Sequence, residues 1–358
     1  ISALADGELG GDEAARILDA MDAGAARECW HLYHLIGDVL RAPDLGDARH
    51  DVEFVSRLRG RLPPQVSVVV AVCAEDDPGW LREALDSVRA QTLAAWECLL
   101  CADGTLTPAL DAVAADFLRG DARFRRVDGA RRGGPGAARN LGLAAARGRF
   151  IAVLDADDLA APERLRRQMD RMTGPDAPDA LGTWCVVVGP DGVETGERRT
   201  PTGPETLLRE LPRANPLVHS SVMLRADAAR AAGGWPEGLP FAEDYALWVR
   251  LAARGGRLDN LPEPLCRYRA GRAAKPHGGG LRRFRAVWRV RREALRLLPA
   301  AERWVRLPEA LALSLAQLLP EGMLGRLRAY ARRRGAACCA LFSPREILRR
   351  LRGERPAP

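Results

Sequence analysis

The hydrophobic pattern changes period along the 358-residue chain. Near the start, Ile17, Leu18 and Met21 recur at helical spacing. Trp30, Tyr33, His34, Ile36, Gly37 and Leu40 continue a second helix until Pro43 and Gly46 break it. A third short helix, Val52 to Leu62, stops at Pro63-Pro64. From Val66, short apolar runs replace the helical stripes. Val66 to Val72 reads as a buried strand, and Asp77-Pro78 opens a helix with Asp as N-cap and Pro at its first position. Leu81, Ala84, Leu85 and Val88 share one face of that helix. A strand at Trp96–Cys101, a helix at Thr107–Leu118, a strand at Arg123–Val127, a helix at Pro135–Ala146 and a strand at Arg149–Leu154 follow. Later strands fall near Trp184–Val188 and Ser220–Leu224, interrupted by turns such as Asp191-Gly192. Over residues 281–358, leucines return to helical spacing among arginines, at Leu295, Leu297 and Leu298, then Leu311, Leu313, Leu315, Leu318 and Leu319.

Alternating strands and helices predict an α/β domain over residues 65–271, a mostly parallel sheet with helices on both faces. A small all-α domain over 1–62 precedes it, and a basic helical region over 272–358 follows. No run approaches 18 uninterrupted apolar residues, so no transmembrane helix is predicted. The net charge of +7 hides a segregation: residues 1–62 carry −5, and residues 272–358 carry +15. The basic tail reads either as an amphipathic surface for anionic lipid or as a helical cap with a solvated face. The eight cysteines are scattered through apolar runs, which fits reduced, buried thiols and a cytoplasmic location. Cys98 and Cys101 lie three apart in a strand, so they face opposite sides and form no redox or zinc pair.

The chemistry concentrates at strand ends. Phe150 to Leu154 runs into Asp155-Ala156-Asp157-Asp158. Three carboxylates crowded together call for a counter-charge, and a hard divalent cation with oxygen ligands supplies one. Ligands of open α/β sheets lie beyond the carboxyl ends of strands. The competing reading makes Asp157 or Asp158 the N-cap of a helix beginning near Pro162. The first strand leads to Glu75, and the second to Asp103-Gly104-Thr105. Gly133-Gly134-Pro135-Gly136 opens the helix that carries Arg139. A dinucleotide fingerprint also places glycines before a helix, but Arg139 stands where its third glycine belongs, and the loop follows the third strand, not the first.

In order, these motifs resemble family 2 glycosyltransferases of the GT-A fold. The resemblance covers about residues 65–271 and rests on Val68–Val72 with Glu75, Leu85–Thr92, Asp103-Gly104-Thr105, Gly136–Gly142 and Leu154–Asp158. It continues through His219–Arg225, Gly233-Gly234-Trp235, Glu243–Trp248 and Tyr268-Arg269. The resemblance implies an inverting transfer of a sugar from a nucleotide-diphosphate donor to a glycan, lipid-linked or protein acceptor. It makes Asp155 and Asp157 a D-x-D pair binding Mg²⁺ or Mn²⁺ at the diphosphate. It places Ala71, Cys73, Glu75, Asp103 and Arg139 with the nucleotide-sugar. Asp244, beside Glu243, becomes the general base, although acids in a first helical turn also simply favour the helix dipole. The family usually has Pro, an aromatic and Asn at the positions of Ala71, Cys73 and Ala74, and an acid at that of Ala102.

Residues 1–62 resemble the N-terminal domain of anti-sigma-E factors (RseA-like), on Ser2–Glu8 and Trp30–Arg41. That resemblance implies a sigma factor as partner, met by Asp6, Glu8, Trp30, Tyr33 and His34; the other reading is a helical appendage. The chain is thus expected to be a cytoplasmic enzyme, peripheral on the inner membrane through its tail, with no direct nucleic-acid contact. The competing class is an anti-sigma-type regulatory binding protein whose transferase domain is passive.

Overall fold

In this computed structural model, residues 64–129, 132–239, 241–270 and 280–319 are described. The chain divides into two units, residues 1–61 and 62–358, and every described residue belongs to the second. The helices expected over 1–62, with Asp6, Glu8, Trp30, Tyr33 and His34, lie outside the described residues.

The strand ladder begins with β1 (Val66–Val72), β2 (Trp96–Ala102), β3 (Phe124–Asp128) and β4 (Phe150–Asp155). They lie side by side in the order β3-β2-β1-β4, all parallel. Their side chains alternate strictly. Val66, Val68, Val70, Val72, Leu100 and Leu154 enter one core; Val69, Leu99, Cys101, Ile151 and Val153 enter the other. Cys98 and Cys101 are both buried and fall into opposite cores, as the strand period requires.

Two layers of helices cover these faces. On the first lie α1 (Pro78–Arg89), α2 (Pro108–Gly120) and, past β4, α4 (Arg164–Thr173). Asp77 caps α1, accepting from the Gly79 and Trp80 amides. Leu81, Ala84, Leu85 and Val88 are all buried. Truncating Leu85 to Ala would cost about 2–5 kcal/mol by removing packing at a fully buried site. The other face carries α3 (Pro135–Ala145), which the sheet holds at close range. A Cβ on Gly142 would sit 2.6 Å from Val69 Cγ1 and 2.8 Å from Cys101 Sγ, so only glycine lets α3 approach this near.

Beyond β4 the sheet is mixed. After the two-residue β5 (Leu159–Ala160) come β6 (Ala180–Val188), β7 (Glu194–Arg198), β8 (Met223–Arg225) and β9 (Leu258–Arg269). The order continues β4-β8-β6-β9-β5, with β8 antiparallel to both neighbours and β6 parallel to β9. The strand expected at Ser220–Leu224 is shorter, because residues 219–221 form a 3-10 turn. Ser221 explains this: its hydroxyl accepts from Thr183 N and sits near Val218 O at 2.8 Å, taking a ladder position that backbone would otherwise fill. Gln168 on α4 donates to Leu181 O and Ser221 O, and Arg164 donates to Val153 O.

The segment 200–216 contains α5 (Pro204–Glu210). Next come α6 (Ala226–Ala231), and α7 (Glu243–Ala253), whose Tyr245, Leu247, Trp248 and Leu251 fill the second core. The tail begins with α8 (Gly280–Leu295) and α9 (Ala300–Leu315). Val290 and Ala294 of α8 join that core, so this part of the basic region is a packed cap. Among the described residues, no helix is long and apolar enough to cross a membrane.

Candidate active site

The chain turns from β3 back past β1 to place β4 on the other side, and this reversal opens a crevice at the carboxyl ends of β1 and β4. Ala71 pairs with Asp155 in that register, so the end of β1 lies beside the acid cluster. Cys73 follows in a turn whose amide donates to Asp76 Oδ2.

Asp155 is held by three neighbours. Arg139 Nη2 donates to its Oδ1 and Ser220 Oγ to its Oδ2, each at 2.8 Å. His219 Nδ1 lies 3.4 Å from Oδ1. Burial acts to raise its pKa, but the His219 and Arg139 charges and the hydrogen bonds outweigh burial and hold it well below the usual carboxylate range. Asp158 goes the opposite way. Burial, reinforced by Cys266, Asp155 and Asp157, pushes its carboxyl well above the usual range. Its Oδ1 accepts from the Arg269 amide, so it pins β9 to the β4 turn. Neither Asp157 nor Asp158 caps a helix: α4 begins after Glu163, which makes no side-chain cap. Asp157 stays half-buried at the mouth, and its carbonyl accepts from Arg269 Nε.

Arg139 is the centre of the crevice. It is 7% exposed, and its second amino group donates to Glu243 Oε1 at 3.2 Å. Burial works against its charge, yet Asp155 and Glu243 together raise its pKa. One guanidinium thus joins the acid of β4 to the first residue of α7. Beside it, Asn215 Nδ2 donates to Asp244 Oδ2 at 2.7 Å, which fixes the second acid of that helix.

A separate group surrounds a cleft of about 470 Å³ at the ends of β2 and β3, lined by Ala74, Asp103, Thr105, Arg126, Asp128 and Arg132. Asp103 accepts from the Gly133 and Gly134 amides at 2.7 and 3.0 Å, drawing the glycine loop down. Gly134 there has φ +86°, a conformation that glycine adopts without strain. Arg132 bonds Glu75 Oε1 at 2.6 Å, and this bond lowers the Glu75 pKa.

The expected residues therefore form two groups: Ala71, Arg139, Asp155, Glu243 and Asp244 at the crevice, with Asp157 at its mouth; Glu75 and Asp103 at the cleft. Sequence reasoning did not assign His219, Ser220, Asn215, Arg132 or Arg269 to the site. The His219-Ser220-Ser221 run was the available signal for the first two; Asn215 and Arg132 lie in loops without one.

Among the described residues, no three His, Cys, Asp or Glu side chains are arranged to cage a metal. The acid cluster fits a different mode, in which Mg²⁺ or Mn²⁺ takes one or two carboxylates and completes its shell with substrate phosphates and water.

Residues 67–230 match the profile of Glycosyl transferase family 2, and residues 1–77 match that of Anti sigma-E protein RseA, N-terminal domain. The chain is 31% identical to the amylovoran biosynthesis glycosyltransferase AmsE of Erwinia amylovora, over 57% of this chain and 76% of that protein. It is 26% identical to the UDP-Gal:alpha-D-GlcNAc-diphosphoundecaprenol beta-1,3-galactosyltransferase of Escherichia coli, over 61% of this chain and 79% of that one. In fold it is similar to S. aureus TarS 1-349 in complex with UDP-GlcNAc, with a TM-score of 0.54 and 19% identity over 71% of this chain and 72% of that chain. It spans 43% of a longer TarS chain. It is also similar to the mannosyltransferase PcManGT from Pyrobaculum calidifontis in complex with GDP-Man and Mn2+, with a TM-score of 0.51 and 17% identity over 84% of this chain and 94% of that one. The expected α/β architecture thus has solved counterparts. Since the family profile lies on the strands that carry the acid cluster, and AmsE aligns over three quarters of its length, the chain belongs to glycosyltransferase family 2.

Proposed function

We propose that this chain moves a sugar from a nucleoside diphosphate onto an acceptor hydroxyl in one inverting displacement, as a step in building a cell-envelope polysaccharide. The observation that carries this reading is the Arg139 bridge from Asp155 to Glu243, which couples the acid cluster to the first turn of α7. The nucleoside fits the cleft at Asp103 and Arg132, whose 470 Å³ lies in the range of small-molecule sites. The diphosphate lies toward Asp157, and the acceptor toward Asp244.

Asp244 takes the proton of the acceptor hydroxyl. The hydroxyl oxygen bonds to the anomeric carbon as the carbon–oxygen bond to the diphosphate breaks from the opposite face. A base within hydrogen-bond reach suffices for this role, and Asn215 keeps the carboxylate from rotating away. Asp155, held by Arg139 and Ser220, positions the turn, and Asp157 at the mouth of the crevice would hold Mg²⁺ or Mn²⁺. When bound, that ion neutralises charge developing on the leaving diphosphate. The complexes of TarS with UDP-GlcNAc and of PcManGT with GDP-Man support UDP- or GDP-sugars as the first donors to try. The diphosphoundecaprenol named for the E. coli relative supports a lipid-linked acceptor.

The test is a donor panel assayed for nucleoside diphosphate release with Mn²⁺ or Mg²⁺, then with EDTA, and NMR of the product's anomeric centre. Metal-dependent release with inversion is expected. Turnover indifferent to EDTA would remove the metal, and retained configuration would remove Asp244 as sole base.

A second reading concerns the head, because its profile match is independent of the enzyme's. In that reading Asp6, Glu8, Trp30, Tyr33 and His34 meet a sigma factor. Deleting residues 1–62 would abolish sigma-factor pull-down and spare transfer; loss of transfer as well would make the chain one integrated unit.

A further inference from the structure

The helix α9 turns an apolar side to solvent. Its exposed positions are Ala300, Ala301, Trp304, Val305, Pro308, Leu311 and Leu315, all apolar. Trp304 is 73% exposed and Val305 76%. The spacing 304, 308, 311, 315 keeps these residues on one stripe. The charged residues of α9 lie on partly buried flanks, where Arg306 pairs with Glu309, and Glu302 lies 3.9 Å from Arg209. The side of α9 turned toward the protein mixes these charged residues with buried Ala310, Leu313 and Ser314, while its exposed side is apolar throughout.

Its neighbour α8 shows the complementary pattern. Arg282, Arg285, Arg289, Arg292 and Arg296 are exposed at spacings of three and four, and so form a single row running just past the end of α8. Arg289 lies 3.7 Å from Glu293. Among the described residues no salt bridge engages the other four. The two helices are packed together, with Arg291 donating to Ser314 Oγ.

We infer that this paired surface docks on a bilayer containing anionic phospholipid, with the α9 stripe in the headgroup–acyl boundary and the α8 arginines at the phosphates. Tryptophan and aliphatic side chains favour that boundary, and a neighbouring cationic row is drawn to anionic headgroups. Charge disfavours the other occupants. A second copy meeting α9 face to face would bring two arginine rows together. The chain's own residues 320–358 carry ten arginines against three acids, so they too are repelled.

The docking surface is tied to the catalytic side. Glu309 of α9 pairs with Arg213 at 2.9 Å, and Arg291 of α8 donates to the Arg213 carbonyl. Two residues further on, Asn215 holds Asp244. Phe241, which precedes α7, lies under the Arg283 guanidinium at 5.7 Å. An enzyme docked in this way presents its acceptor side close to the membrane surface.

The experiment is vesicle co-sedimentation of the full chain, read by bound protein and so independent of any donor or transfer activity. Vesicles of phosphatidylcholine alone are compared with equal parts phosphatidylcholine and phosphatidylglycerol, at low and high salt. Binding to the mixed vesicles at low salt is expected, weakened by salt. Trp304→Glu with Val305→Glu should reduce binding more than tenfold without changing the thermal melt, since both residues are exposed. Arg285→Gln with Arg292→Gln should lose about fivefold per arginine, and only on anionic vesicles. No wild-type binding at low salt overturns the proposal, as does undiminished binding by the double-glutamate variant. A wild-type dimer that this variant splits, without vesicle binding, would assign the face to a second copy. New protease sensitivity of residues 320–358 in the variant would assign it to the chain's own tail.

Discussion

The two halves of the sheet solve the same problem by different means. From β3 to β4, parallel strands pair along their whole lengths, and strict alternation sends side chains into two apolar cores. From β8 to β9, strands are short or bulged, and buried polar side chains complete what the ladder leaves open. Gln168 and Arg164 supply donors to the carbonyls of Leu181, Ser221 and Val222. Register shifts near Trp184 mark where β6 and β9 fall out of step. In the proposed reaction the regular half is the rigid edge that takes the nucleotide. In the same proposal the irregular half takes the acceptor, since loops and short strands can change without disturbing the ladder.

Arg139 joins the halves, so its replacement is the most damaging change. Arg139→Leu leaves Asp155 and Glu243 without their buried cation, and a broken buried pair costs roughly 3–5 kcal/mol. The melt should fall and transfer should drop below detection. A well-folded, active Arg139→Leu enzyme would show that the halves are not coupled through this residue.

Asn215→Ala should act on one side alone. It frees Asp244, so kcat should fall about tenfold while the donor KM stays put. An equal loss of donor affinity would blur the division between the halves.

Asp158→Asn gives the smallest effect, on stability. With its pKa raised in the folded state, the folded protein holds this proton more tightly than the unfolded chain. Its stabilising share is complete below the ordinary carboxylate pKa and is lost as pH rises through the raised value. The asparagine variant should therefore show a flatter decline in melting temperature over that window, measured by a pH series of thermal melts. An unchanged pH profile would mean that Asp158 does not carry the linkage.

The same contrast decides what could be read in the sequence. The strands at Val66, Trp96 and Phe150 were legible because apolar residues fill both faces and Asp77-Pro78 and Thr107-Pro108 mark helix starts. The acids at strand ends were legible because topology puts ligands there. The 3-10 turn at His219–Ser221 was hidden, because Ser220-Ser221-Val222-Met223-Leu224 has strand composition, and only the tertiary bonds of Ser221 to residues 183 and 218 bend it. The partners of Arg139 were hidden as well, because Asp155 and Glu243 lie 16 and 104 residues away along the chain. Asn215 gave no pattern, since its role depends on a helix 29 residues further along.

The proposed reaction puts the donor and acceptor functions on separate halves. It is tested most directly by comparing Asp157→Ala and Asp244→Asn for metal-dependent nucleotide binding by calorimetry and for sugar transfer. Asp157→Ala should lose both. Asp244→Asn should bind the donor nucleotide as the wild type does, yet transfer roughly 10²–10⁴-fold more slowly, the usual contribution of a general base. Wild-type transfer by Asp244→Asn, or undiminished metal-dependent binding by Asp157→Ala, would contradict the account.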